Sequence, residues 1–399
     1  MKHASSGIKL VVSLALLSAS PAFAQSLSTE ATPEAKAAEP VAYVYAQTST
    51  GVVAYAATAA GKLTLVKGSP FYVAGQMEGI NGKYLIAVGT TNLRTYPITS
   101  TGAVEKQASM IDTADFAGSE CGATGDEPAE LDHTGQYFYV ELDSNAVQCT
   151  AWQSYKIESN GAFKFLDAAY GTEGFPGGTF PVNISAISSN DDFAYGFIGT
   201  QYAPIFSAFR KGTDGALSTN SEFSEVDPLP NPSPTGSDNN YFPVGMAADP
   251  AGHMAVLMEE AFCLCGETPN PQLASYTINP TTGAITSTNT YLKMPTDLTW
   301  SSIMSMSPSG KILALGGVGV TLFHFNGAAP ITNFTSILPA VGFASLSWDQ
   351  NNHLYAMSDS AEELYIYTVT PTSVTEVEGS PYHVSKPYGL KGLIVVPKL

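Results

Sequence analysis

The last thirteen residues, Pro387 to Leu399, read PYGLKGLIVVPKL. A turn leads into a short apolar run rich in β-branched residues, which predicts one strand that belongs to no repeating unit of its own. Just before it, Thr372 to Tyr382 reads TSVTEVEGSPY. Near the other end of the chain, Gly61 to Phe71 reads GKLTLVKGSPF. Both segments run from a turn through an alternating strand to a Gly-Ser-Pro-aromatic corner. Such a pair fits either a duplicated domain or a ring whose first and last units are neighbours, and the sequence between them decides.

Seven units fit between Val41 and the C-terminus. Each has an aromatic about two-thirds of the way through: Tyr55, Tyr96, Tyr155, Phe209, Tyr276, Phe325 and Tyr367. A glycine follows within a few residues in six of them, at Gly61, Gly102, Gly161, Gly215, Gly283 and Gly327, while the seventh has Pro371-Thr372-Ser373. Tight hairpins need a residue at positive φ, which glycine supplies. Upstream of each aromatic lies another strand, among them Tyr43 to Tyr45 and Tyr137 to Val140. Turns such as Asp249-Pro250-Ala251-Gly252 and Ser307-Pro308-Ser309-Gly310 precede these strands. Before the turns come short strands of small residues, suited to crowding about a central axis.

Each unit therefore reads as four antiparallel strands, with the repeat spacing of a propeller blade. The first unit lacks its innermost strand and the C-terminal segment is one strand too many. The reading is an all-β fold, a closed seven-bladed β-propeller over residues 41–399, whose C-terminal strand completes the first blade. Closure also removes two sheet edges that would otherwise be exposed.

Composition agrees. The chain is 44% hydrophobic and only 13% charged, with 36 Gly and 26 Pro, which suits many short strands and turns rather than charged-faced helices. Residues 1–24 read as an export signal: Lys2 and Lys9, an apolar run from Leu10 to Ala19, and Ala22-Phe23-Ala24 before Gln25. The run is about half the length that spans a bilayer, so no membrane insertion is expected after cleavage. Residues 25–40 read as a disordered spacer. The expected location is periplasmic or secreted. Without residues 1–24 the chain holds 15 basic against 35 acidic residues, a balance that repels nucleic acid and anionic membranes. Export permits disulfides, and Cys121, Cys149, Cys263 and Cys265 allow three pairings. Cys121 with Cys149, on loops flanking the third unit, is the favoured one. Cys263 and Cys265 would close a small ring or remain thiols.

The loops on one face are long and irregular: 112–128, 170–181, 222–243 and 259–273. The opposite turns are short and repetitive. Elaboration of one face is expected where a ligand or partner binds, here a small molecule, glycan or protein. The third unit is the most acidic part of that face, with Glu120, Asp126, Glu127, Glu130, Glu141 and Asp143. Aromatics join them at the mouth, including Tyr241, Phe242, Trp300, Phe343 and Tyr388. Glu127, Glu130, Glu141, Tyr241, Trp300 and Tyr388 are accordingly the candidate ligand-binding residues, since aromatic faces beside carboxylates stack and hydrogen-bond sugars. No metal-loop spacing, phosphate-binding loop, GxSxG or HExxH is present, so neither metal nor cofactor is expected.

The seven-unit layout, the second strands Tyr43-Val44-Tyr45 and Tyr137-Phe138-Tyr139-Val140, the DPAG and SPSG turns and the GSPF and GSPY corners together resemble the lactonase-like, or YVTN-repeat, seven-bladed β-propellers. That family includes bacterial 6-phosphogluconolactonase and fungal carboxymuconate cyclase. The resemblance covers about Val41 to Leu399 and implies the fold; fold alone does not fix activity. The family's enzymes use a His, Arg and Glu set at one channel mouth, which is not evident here: Arg94 reads as mid-strand and Arg210 as belonging to the opposite side. Binding through the loop-rich face is the leading expectation. The alternative is a sugar-lactone hydrolase with Glu130 or Glu141 as base and His383 or Lys386 steadying the oxyanion.

Overall fold

A computed structural model describes residues 38–122, 129–144, 149–170, 183–198, 205–219, 241–260, 271–286, 294–295, 298, 303–336, 339, 341–388 and 392–398. Seven antiparallel sheets form a ring, and the described residues hold no α-helix. The C-terminal strand Leu393–Pro397 is the innermost strand of the first blade. It lies antiparallel to Pro40–Thr48, with Val44 opposite Val395, and Gly51–Thr58 and Leu63–Leu65 follow outward. The spare strand inferred from the sequence thus supplies the missing one.

Ring closure is visible in the core. Seven buried apolar clusters sit between seven successive pairs of blades, where an open array would have six. The closing cluster joins Val44, Ala46 and Leu393 of the first blade to Tyr355, Met357 and Ile366 of the seventh. The chain-end blades therefore bury as much as their neighbours, and no blade is left with a bare apolar face.

The two Gly-Ser-Pro-aromatic corners have the same local structure. At each, the outer strand breaks away from the third strand and then rejoins it. The serine hydroxyl oxygen fills the gap in the ladder: Ser69 Oγ accepts from Ala54 N at 2.8 Å, and Ser380 Oγ from Ile366 N at 3.0 Å. Both Ser-Pro peptides are cis. Phe71 then exchanges backbone hydrogen bonds with Val52, and Tyr382 pairs with Leu364. Serine is the residue type suited to this corner because its side-chain oxygen replaces the carbonyl that the turn carries away.

The turn face carries a second repeated device. In six blades a residue in the first half of the second strand, the strand's first residue in five of them, lays a ring against the glycine of the next blade's outer hairpin. A Cβ added to Gly102 would come within 2.3 Å of Tyr43, to Gly161 within 2.6 Å of Tyr84, and to Gly215 within 1.9 Å of Tyr137. Phe193 meets Gly283, His253 meets Gly327 and His353 meets Gly61 in the same way. Tyr45, Tyr139 and Tyr195, two residues further along their strands, donate to the carbonyls of Gly102, Gly215 and Gly283. The glycines read from the sequence as hairpin residues are therefore also the seats of an inter-blade lock.

One marker shifts. In six blades the buried aromatic of the third strand pairs with the residue after the ring: Tyr155 with Phe138, Tyr276 with Met254. In the sixth blade that place belongs to Phe323, opposite Leu313, rather than to Phe325. The cause is the tighter turn at Gly327 and the irregular pairing around Phe323 to Asn326, which moves the repeat by two residues.

Candidate functional site

Each second strand ends on the loop-rich face, and so does each connection into an innermost strand. Between the first two blades these elements enclose a cavity of about 500 Å³. Its walls are Gln47 and Thr48 at the end of a strand, Ser49 to Gly51 in the hairpin, Tyr72 to Gln76 in the connection, Val88 to Thr90 in the next hairpin, and Tyr388. The hairpin is short because Thr48 Oγ1 donates to the Gly51 carbonyl at 3.0 Å. Gly75 is required here: its φ is +101°, and a Cβ would lie 2.5 Å from the Val88 carbonyl oxygen.

The buried Gln47 ties the cavity together. Its amide nitrogen donates to the Gly75 carbonyl at 3.2 Å, and its side-chain oxygen accepts from Met77 N. Its backbone carbonyl accepts from Tyr388 N at 3.0 Å, while Thr48 pairs with Pro387. Tyr388 is thereby fixed at the mouth with half of its surface exposed (50%), and Tyr72 is 79% exposed on the other side of the opening. Two open aromatic surfaces flanking hydroxyl and amide groups suit a ligand with both polar edges and apolar faces.

Lys386 joins the same rim through its backbone, with its carbonyl accepting from Ser49 N at 3.0 Å and its own N donating to Glu362 at 3.2 Å. His383 lies elsewhere. It pairs with Glu363 at the outer edge of the seventh blade, its side chain is 70% exposed, and its imidazole is 4.0 Å from Glu362. The four residues assigned to the hydrolase reading are thus divided among different parts of the ring.

The acidic residues of the third blade also separate. Glu130 lies on the innermost strand Ala129–Leu131, two residues before the turn at Asp132, in the half of the blade toward the short turns. Glu141 does not lie on a loop: the second strand continues through Ser144, and Glu141 is fully buried within it, opposite Trp152. Glu120 does reach the loop-rich face. The Tyr170 hydroxyl hydrogen-bonds its carboxylate and, with backbone donors, holds it below the usual carboxylate range. Tyr241 lies in the innermost strand of the fifth blade, with its side chain outside the described set. Glu127, Trp300, Cys263 and Cys265 lie outside the described residues. Cys121 is buried and disulfide-bonded. The sulfur it joins is not among the described side chains, so pairing with Cys149 stands as a proposal. No group of three or more His, Cys, Asp and Glu suited to a metal ion occurs among the described residues.

Two residues were missed. Arg94 reads as mid-strand, yet its guanidinium donates to the Ala74 carbonyl at 3.3 Å, and a Cβ on Gly89 would lie 2.7 Å from it. Arg94 therefore stands behind the cavity wall. The signal was its place three residues after the Thr91 turn, within one side-chain length of the mouth. Glu78, buried on the innermost strand Gln76–Ile80, is two residues from the cavity residue Gln76. It sits at a bulge between Met77 and Gly79, which strand alternation cannot anticipate.

No family model matches the chain, and no curated protein matches it. Solved structures do. A candidate 6-phosphogluconolactonase of Bacteroides uniformis superposes with a TM-score of 0.63 at 12% identity, over 90% of this chain and 100% of that one. The periplasmic gluconolactonase PpgL of Pseudomonas aeruginosa gives 0.60 at 12% identity, over 89% and 99%. A Lactobacillus plantarum protein gives 0.60 at 13% identity, over 90% and 99%. At such identities the likeness establishes the fold, and it agrees with the strand order and closure described above. The chain has the fold of the lactonase-like seven-bladed β-propellers.

Proposed function

We propose that the protein binds a small, uncharged polyhydroxylated ligand, a sugar or sugar lactone, in the cavity between the first and second blades. One observation carries this reading: a cavity of about 500 Å³ on the loop-rich face is lined by hydroxyl and amide groups, is flanked by Tyr72 and Tyr388, and has no carboxylate or imidazole among the described residues of its lining. Hydroxyls and amides both donate and accept, matching sugar hydroxyls, and the tyrosine faces suit the C–H face of a pyranose. Isothermal titration with a panel of monosaccharides, aldonic acids and aldonolactones tests it. The expected result is saturable binding of a neutral member, weakened at least tenfold by Tyr388→Ala. No heat or thermal shift from any neutral member at millimolar concentration overturns it.

A second reading, sugar-lactone hydrolysis, is favoured by the shared fold with the Pseudomonas gluconolactonase. In this reading Glu78 or Glu130 would act as base, Glu141 being enclosed in its sheet, and Arg94 or Lys386 would steady the oxyanion. Ring opening of an aldonolactone above the spontaneous rate, lost in Glu78→Gln or Glu130→Gln, would establish this reading over simple binding. Export is proposed on the N-terminal sequence pattern. It would be supported by mature protein beginning at Gln25 in the periplasmic or culture fraction.

A further inference from the structure

The lock on the turn face is missing at one interface. The first residue of the sixth blade's second strand is Ile312, placed like its counterparts: its N donates to Ser307 Oγ at 3.0 Å, as Phe193 N does to Ser188 Oγ. An isoleucine side chain is too short to reach the next blade as a tyrosine does. The facing hairpin of the seventh blade has Pro371-Thr372-Ser373 in place of the glycine seat. Both halves of the lock are absent together, and a cavity of about 410 Å³ remains between the two blades.

The chemistry of its walls is specific. Ile312, Val369 and Pro371 provide an apolar interior, and Asn326, Asn352 and Thr370 provide neutral polar groups. His324 enters from one side, its ring held against Phe334 at 4.4 Å between centroids. Among the described residues Lys311 is the lone fixed cation in the lining, and no Asp or Glu lines the cavity, although the chain carries a net charge of −18. An apolar chamber with one cation at its wall, in an otherwise acidic protein, attracts one negative charge attached to an apolar body. A phosphate dianion would call for a second cation or a bidentate arginine, which the lining does not offer.

We infer that the cavity between the sixth and seventh blades binds a small monocarboxylate with an apolar ring or branched body, its carboxylate on Lys311 and its body against Ile312, Val369 and Pro371. This site is on the opposite face from the proposed sugar cavity, so either can fail without the other. Benzoate, with neutral benzamide as its isosteric control, tests the inference by titration calorimetry and by chemical-shift changes at the His324 ring. The expected result is saturable benzoate binding, with benzamide at least tenfold weaker. Lys311→Met keeps the stem and should erase that difference. Ile312→Tyr, which supplies the ring the other six interfaces have, should abolish binding of both. Absence of benzoate binding, equal binding of benzamide, or binding unchanged in Lys311→Met overturns the inference. The first two outcomes need no variant to fold.

Discussion

The interface between the third and fourth blades and the one between the sixth and seventh are made of corresponding strands and differ at the contact on the turn face. In the first, Tyr137 lies on Gly215, Tyr139 donates to the Gly215 carbonyl at 3.1 Å, and Lys211 covers the Tyr137 ring at 5.3 Å. In the second, Ile312 faces a turn with no glycine and a cavity takes the place of the ring. The difference separates two tasks. On the turn face six interfaces fill this place with a ring seated against its glycine, whereas the seventh gives up that packing and gains a chamber. The blades are otherwise held by their apolar clusters, Ile312, Leu354 and Trp348 among the residues of this one.

The largest effect bears on closure, which the comparison takes for granted. Ending the chain after Tyr382 removes Val384, Leu393 and Val396, all buried, together with the ladder on Pro40–Thr48. Loss of cooperative unfolding is expected in thermal melts. A truncated protein that melts cooperatively at the parent temperature would mean that the ring does not need its closing strand.

Smaller effects sharpen the contact itself. Gly215→Ala forces a side chain into the left-handed region and into the Tyr137 ring, and a loss of roughly 3 kcal/mol in denaturant unfolding is expected. Gly252→Ala is the control, since its φ is +87° but nothing lies within 4 Å of the added Cβ. Only the backbone cost of about 1 kcal/mol should remain there. Equal losses at the two sites would show that the ring contact matters little. At the unlocked interface the sign reverses: Ile312→Tyr should stabilise by about 1 kcal/mol, as cavity filling does elsewhere. A destabilised variant would show that the chamber cannot accept a ring.

The smallest effect concerns His133, beside the Tyr137 lock, whose Nδ1 lies 2.7 Å from Asp191. The hydrogen bond to Asp191 raises the His133 pKa against the opposing desolvation. Burial would raise the Asp191 carboxyl, but the side-chain and backbone bonds from His133 and the nearby Lys211 together hold it below its ordinary value. The His133 contribution is therefore fully present below its unfolded pKa, about 6.5, and is lost as pH rises through the raised value. The Asp191 contribution is present above about 3.8 and is lost as pH falls through the lowered value. The His133 side chain is 58% exposed, so screening limits the pair to a few tenths of a kcal/mol. A double-mutant cycle with His133→Ala and Asp191→Asn should show coupling at pH 5.5 and none at pH 9. Equal coupling at both would assign it to packing.

Much of the ring was legible because propeller blades repeat local rules. Turn glycines, buried third-strand aromatics and Gly-Ser-Pro corners act within a few residues of themselves, and the count of strands follows from them. The site was less legible. Tyr388, one of the aromatics the sequence offers at the mouth, lines the cavity, and the Lys386 backbone bonds its hairpin at Ser49. Arg94 and Glu78 were passed over because a side chain's reach and a bulge are not visible in strand alternation. Glu141 follows the Tyr137 to Val140 pattern that reads as the second strand, yet the strand runs on to Ser144.

The sequence by itself determined seven four-stranded units, the spare C-terminal strand and the need for a ring, since these depend on periodicity and on pairing unmatched edges. Only the tertiary structure decided which side chains meet across blades. It showed that Tyr137 needs Gly215, that Tyr388 closes a cavity against Gln47, and that Ile312 leaves one open. Those outcomes depend on residues tens to hundreds of positions apart, brought together by the volume that one blade leaves for the next.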